Sequence, residues 1–196
     1  MKKLILVLSL FILSSCVETI VVGAMATGVL MSKEERVLDT VSDVANKEKI
    51  KKYVKKYEEE NHVKRKFDDI NISVIEDRVM ITGIVESKKY KKKIYKVVWE
   101  SKVDVKEVIN EVKVAKKKKR SVTRDVMITS QIKTKFKTKQ NIKSLNYDVI
   151  TVDKTVYLFG IAQDSEEMRL TANVASRVRG VNNVVSHVLL KSDRRR

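Results

Sequence analysis

The sequence predicts an α+β protein built from two copies of one small α-β-β-α-β unit. Two observations carry this. Blocks of the chain repeat at an offset of 77 residues, with Val79-Met-Ile-Thr-Gly83-Ile84 matched by Val156-Tyr-Leu-Phe-Gly160-Ile161, and a fixed offset marks a duplicated structural unit. In each block apolar residues at helical spacing precede two short runs of β-formers, and a second helical stretch precedes a third run. The flanking strands repeat as well: residues 70–75 correspond to 147–152, and 105–112 to 181–188 at an offset of 76. One residue has been gained or lost in the connecting segment.

The second copy is the clearer. Its first helix spans residues 123–138, where Ile128, Ile132 and Phe136 recur at i, i+4 and i+8 on one face. Two strands follow, joined across Asp153-Lys154-Thr155, a polar three-residue hairpin connection. Asp164 opens the second helix with Glu167 three residues on, a capping-box spacing that also places acid at the positive helix end. That helix presents Met168, Ala172 and Ala175 and is expected to run to Arg179, with Gly180 closing it in a left-handed turn. Residues 184–190 supply the third strand. In the first copy Ile50, Val54 and Tyr57 mark the first helix. Hairpin strands lie near 70–75 and 78–84, a second helix near 88–101 and a final strand near 107–114. Asp104 stands where the second copy has Gly180, so a looser turn is expected there. Trp99 falls off the face set by Tyr90, Ile94, Val97 and Val98. It is expected either to anchor a partner from an exposed position or to pack on the neighbouring domain.

Composition narrows the function classes. The 196 residues carry a formal charge of +17, with 34% charged residues, no proline and one cysteine. A hydrophobic content of 43% is enough for real cores. One cysteine excludes an intrachain disulfide, and with two histidines it excludes a cysteine-based structural zinc site. No Gly-rich phosphate loop, HExxH or GxSxG motif is present. His62 and His187 stand alone and read as structural or surface residues. No catalytic residue, metal or cofactor is therefore expected. An excess of positive charge points to polyanionic partners: nucleic acid, anionic lipid or an acidic protein.

The N-terminus selects among them. Met1-Lys2-Lys3 is followed by a run to Leu13 that is apolar apart from Ser9, then by Ser14-Ser15-Cys16. Charge, apolar run and small residues form the layout of a secretory signal. A run of this length falls short of the roughly 20 residues needed to span a bilayer. Leu13-Ser14-Ser15-Cys16 resembles the lipobox of bacterial lipoproteins, which implies cleavage after residue 15 and acylation of Cys16, palmitate included. Several acyl chains give stable anchoring, since each buried CH₂ contributes about 0.8 kcal/mol. Val17, rather than aspartate, implies delivery to the outer membrane with the domains facing the periplasm. The apolar residues 20–31 are too short to span and are expected to form a membrane-proximal segment or a tether.

Two units with a Val-x-[Ile/Leu]-x-Gly-Ile second strand, the last unit carrying Ala175-Ser-Arg-Val-Arg-Gly-Val181, resemble BON domains. With the lipobox in front, the chain is similar to the dual-BON outer-membrane lipoproteins of the DolP (YraP) type. The resemblance covers about residues 36–190 and is closest in the second copy. It implies a three-stranded mixed sheet packed on two helices in each domain and no catalysis. It also implies binding of anionic phospholipid, such as phosphatidylglycerol, through the second domain, in support of envelope integrity. The expected organisation is a signal peptide over 1–15, a lipidated tether over 16–38 and BON domain 1 over 39–115. A basic linker over 116–121, BON domain 2 over 122–192 and a basic tail over 193–196 complete it.

The charge is concentrated. Residues 116–143 hold 11 basic residues and one acid, a net +10, in the run Lys116-Lys-Lys-Lys-Arg120 and the first helix of domain 2. With 128, 132 and 136 buried, a step of 100° per residue turns Thr123, Met127, Ser130, Lys133, Thr134 and Lys137 to the far side. The resemblance assigns the lipid contacts to this helix. The expected anionic-lipid site is Arg124, Met127, Ser130, Lys133, Thr134 and Lys137. The family commonly has tryptophan at the position of Met127; methionine is apolar but lacks the interfacial indole, so the resemblance does not fix the depth of insertion, and the extra lysines offer electrostatic compensation. The basic run alone suggests nucleic acid, but an exported protein does not ordinarily meet it, so no nucleic-acid partner is expected. The rival reading is a periplasmic adaptor whose domains bind an envelope protein such as outer-membrane assembly machinery.

Overall fold

The computed structural model describes residues 34–115 and 121–193. The expected signal peptide, Cys16, most of the tether, the basic run 116–120 and Arg194-Arg-Arg196 lie outside the described residues.

Domain 1 comprises α1 (Glu34–Glu60), β1 (Asn71–Ile75), β2 (Arg78–Val85), α2 (Lys88–Trp99) and β3 (Glu107–Val114). Domain 2 repeats the order with α3 (Val122–Thr138), a 3₁₀ turn (Ser144–Asn146), β4 (Tyr147–Val152), β5 (Thr155–Ala162), α4 (Ser165–Ser176) and β6 (Asn183–Leu190). In each sheet the middle strand, β2 or β5, pairs antiparallel with the strand before it and parallel with the strand after it. The antiparallel pair needs only a tight turn, whereas the parallel pair needs a crossover, which α2 and α4 provide. The fold is thus α+β, with two three-stranded mixed sheets, each covered by two helices.

Each domain buries its own helix–sheet core. Ile50 and Val54 of α1 and Ile94, Val97 and Val98 of α2 pack on Ile72, Val79, Ile81, Val85, Val108 and Val112. Ile128, Ile132 and Phe136 of α3 and Val174 and Ala175 of α4 pack on Val149, Val156, Leu158, Ala162 and Val188.

Three local expectations change. The domain 2 hairpin has two connecting residues, not three: Thr155 belongs to β5 and pairs with Val152. Asp153 and Lys154 both take positive φ (49° and 61°), the backbone twist that two-residue hairpins favour and that Asn-Gly usually supplies. Here Asp125 of α3 compensates, its buried carboxylate accepting from the Asp153 (2.8 Å) and Lys154 (3.0 Å) N–H groups. Domain 1 uses the same device, with Glu76 and Asp77 at positive φ and Asp43 of α1 accepting from the Glu76 N–H at 3.0 Å. Second, α4 ends at Ser176 rather than Arg179, and α2 ends at Trp99. Val178 drops out of the helix and is buried in the core, and Gly180 (φ +95°) turns the chain toward β6. In domain 1 the left-handed residue is Lys102 (φ 58°), close behind the helix end, which replaces the looser turn expected at Asp104. Third, the buried face of α4 is Glu167, Thr171, Val174 and Ala175, with Met168 and Ala172 only half-buried. Asp164 caps α4 by accepting from the Glu167 N–H, while the Glu167 carboxylate accepts from Gln163 N–H (2.7 Å) and Lys143 N–H (2.6 Å). It thereby fastens the α3–β4 loop to the helix start. Burial, with Glu167 adding to it, pushes the Tyr147 hydroxyl well above its ordinary range.

The sheets carry a second apolar face. Met80 and Ile84 of β2 meet Val152, Tyr157 and Phe159 of domain 2, with Ile75, Ile109, Ile150 and Val185 packed around them. Side chains alternate across a strand, so the residues of β2 and β5 that face the helices are the alternate set. The layers are therefore α1 and α2, sheet 1, sheet 2, then α3 and α4. Polar contacts ring the apolar centre. Arg78 donates to Glu107 at 2.8 Å and to the His187 carbonyl at 3.4 Å, and lies 5.0 Å over the Phe159 ring. His187 Nε2 meets Glu111 at 2.8 Å, Ser73 donates to Asp148 at 2.5 Å, and Lys113 donates to Thr155 at 2.8 Å. The Tyr157 hydroxyl is pushed up to about 12 by burial and then by the Glu111 charge.

Candidate functional site: the outer face of helix α3

Helix α3 is held in one rotation. Ser121 caps it by accepting from the Arg124 N–H at 3.3 Å, and Lys135 and Lys137 in the last turn suit its negative end. Ile128, Ile132 and Phe136 sit in the core, Asp125 grips the hairpin turn, and the Thr129 hydroxyl donates to Thr151 at 2.8 Å. Every contact that fixes the rotation lies on the sheet side.

The six expected site residues, Arg124, Met127, Ser130, Lys133, Thr134 and Lys137, are all exposed on this helix. They do not form one cationic stripe. At 100° per residue the outermost line is Thr123, Met127, Ser130 and Thr134, which is neutral. Lys133 and Lys137 lie on one flank and Arg124 on the other. Lys133 is 3.6 Å from the Asp148 carboxylate, which also accepts from Ser73. That lysine is partly committed to the seam between the domains, whereas Lys137 and Arg124 have no side-chain partner among the described residues.

Other candidate contact residues lie outside the six expected. Val122 and Val126 are exposed, Val126 by 61%, beside Met127 at 57%. Val122 and Val126 form an i, i+4 pair on the flank that carries Lys133 and Lys137, and Met127 stands on the outermost line. Leu145 projects from the 3₁₀ turn after α3 with 91% of its surface exposed, two residues from Lys143. The signal for Val122 and Val126 was an i, i+4 pair off the buried face. Leu145 gave none, because a lone leucine in a loop reads equally well as core. Apolar side chains exposed on the same outward half of a helix as cations can enter the head-group region of a bilayer while the cations meet phosphates.

Among the described residues no group of three or more His, Cys, Asp or Glu side chains could hold a metal, and no helix is long and apolar enough to cross a membrane. An open groove of about 510 Å³ between α4 and β6 is lined by Arg169, Asn173, Ser176, Asn182 and Ser186, among others, with no acid or imidazole.

Three comparisons relate the chain to known proteins. A protein of Anaplasma centrale, described as an uncharacterized protein in the gshII 5' region, is 39% identical over 132 residues, covering 66% of this chain and 87% of that protein. Two solved structures are also similar, both of CdsD, a structural protein of the type III secretion system of Chlamydia trachomatis. One matches at 12% identity and TM-score 0.30 over 65% of this chain and 56% of that one. The other, its C-terminal domain, matches at 13% and 0.29 over 68% and 64%. The chain therefore spans less than two thirds of either CdsD structure. The BON domain pattern matches residues 41–116 and again 124–192, the two segments that fold as sheet-and-helix units, and the chain belongs to the BON-domain family with two copies of that domain.

Proposed function

We propose that this protein is a non-enzymatic, lipid-anchored envelope protein whose second BON domain binds anionic phospholipid through the exposed face of α3. One observation carries the reading: the outward half of α3 exposes Val122, Val126 and Met127 together with Arg124, Lys133 and Lys137, while its other side is committed to the core. BON domains are associated with binding phospholipid membranes, which supports the same class of ligand. Acylation of Cys16 at the outer membrane would hold the domains near such a surface, and two modest attachments reinforce each other. Each lysine near an anionic surface contributes about 1 kcal/mol.

Charge reversal tests the proposal. K133E/K137E in the full chain is expected to lower partitioning onto phosphatidylglycerol vesicles by at least about tenfold, measured by co-sedimentation. Part of the effect of Lys133 is muted by its existing pair with Asp148. Unchanged vesicle binding in this variant, with loss of an envelope protein from the purified complex, supports the adaptor reading instead.

A further inference from the structure

The lysine content of the chain has a second concentration, away from α3. Helix α2 reads Lys-Lys-Tyr-Lys-Lys-Lys-Ile-Tyr-Lys-Val-Val-Trp, with six lysines and no acid. Ile94, Val97 and Val98 are its buried side. At 100° per residue the opposite side carries Lys88, Lys92, Lys96 and Trp99, with Tyr95 on its margin. Trp99 is 42% and Tyr95 38% exposed, and their rings meet edge to face at 6.4 Å. Lys88 and Lys92 have no partner among the described residues, and Lys96 has only an exposed 3.5 Å contact with Glu100. Cationic residues interleaved with tryptophan and tyrosine on one exposed helical face match the composition of interfacial helices, whose aromatic rings sit at head-group level while lysines meet phosphates.

We infer that the outer face of α2, through Lys88, Lys92, Lys96 and Trp99, is a second anionic-lipid surface that points away from the one on α3. The inference rests on the lipid-binding reading of domain 2 for its class of ligand and goes beyond it in place and consequence. Because the sheets pack face to face with helices outside, α2 and α3 occupy opposite outer layers. With sheets about 10 Å apart and helices about 10 Å across, their axes lie roughly 30 Å apart. A single flat bilayer cannot meet both faces. One molecule engages two apposed anionic surfaces.

The chain contains a single tryptophan, so Trp99 reports on α2 without a label. With the full chain, phosphatidylglycerol vesicles are expected to shift Trp99 emission to the blue and to cluster, and phosphatidylcholine vesicles to do neither. K88E/K92E/K96E, and the milder K88Q/K92Q/K96Q, are expected to lose the emission shift and the clustering while still co-sedimenting through α3. The charge-reversed form weakens binding through α2 about a hundredfold. K133E/K137E is expected to keep the emission shift. Wild-type chain that co-sediments with Trp99 emission unchanged overturns the inference and leaves the α3 reading intact. Clustering that survives in the α2 variants, or an emission shift abolished by K133E/K137E, also overturns it. So does unchanged vesicle behaviour with lost binding of a fluorescent oligonucleotide, which assigns the face to nucleic acid. Undiminished co-sedimentation of K133E/K137E with the shift retained counts against the α3 reading alone.

Discussion

Gly83→Ala is expected to destabilise the protein by about 3 kcal/mol or more, from overpacking of roughly 1–3 kcal/mol and backbone strain of about 1–3 kcal/mol. A Cβ at Gly83 would collide with the Asp69 carbonyl oxygen and come within 3.0 Å of the Ile70 Cα, and the residue holds φ at +127°. Both obstacles are backbone and cannot swing aside. At Gly160 the same substitution would strike the Asn146 carbonyl oxygen, but φ there is not left-handed, so Gly160→Ala is expected to cost less, about 1–3 kcal/mol. Thermal unfolding followed by circular dichroism checks both. A loss of about 3 kcal/mol corresponds to a fall of roughly 6–12 °C in Tm for a unit of this size. Equal Tm values for both variants and the wild type would contradict the account. These two glycines are the fixed residues of the repeated second-strand motif. Their role is to let the chain entering the first strand of each domain cross closely over the middle strand.

Phe159→Ala is expected to cost about 3–5 kcal/mol, the range for emptying a buried aromatic site. Phe159 is fully buried between the sheets with the Arg78 guanidinium 5.0 Å over its ring. Its removal leaves a cavity and takes a cation–π partner from a charge already drawn into the seam. The effect is read from urea denaturation midpoints at constant m-value, with Phe159→Leu expected to cost markedly less. A loss below about 1 kcal/mol for Phe159→Ala would mean that the sheets do not pack as described.

Most of the architecture was legible because it rests on local periodicity. The i, i+4 spacing of Ile128, Ile132 and Phe136 defined the core side of α3, and the repeated Val-x-[Ile/Leu]-x-Gly pattern located β2 and β5. The face-to-face packing of the sheets was written in those same strands but was not read from them. Met80, Ile84, Tyr157 and Phe159 make both faces of β2 and β5 apolar, and strands that do not alternate are buried on both sides. Alternation was absent where a solvent-facing sheet would have required it. Asp43 and Asp125 were missed for another reason. They sit on helices yet serve turns 33 and 28 residues away, so no local pattern connects them. The error in the hairpin length follows directly, since Asp-Lys is a poor two-residue turn without that carboxylate. At the candidate site the helix and its exposed side were legible. The Lys133–Asp148 contact was not, because it depends on which strand edge lies beside α3.

Vesicle co-sedimentation of the full chain, resolved by lipid charge and ionic strength, tests the central claim most directly. Binding to phosphatidylglycerol vesicles should greatly exceed binding to phosphatidylcholine and should weaken as salt shortens the Debye length from about 30 Å at 0.01 M to about 8 Å at 0.15 M. Equal binding to both lipids at low salt, or no binding to either, would contradict it.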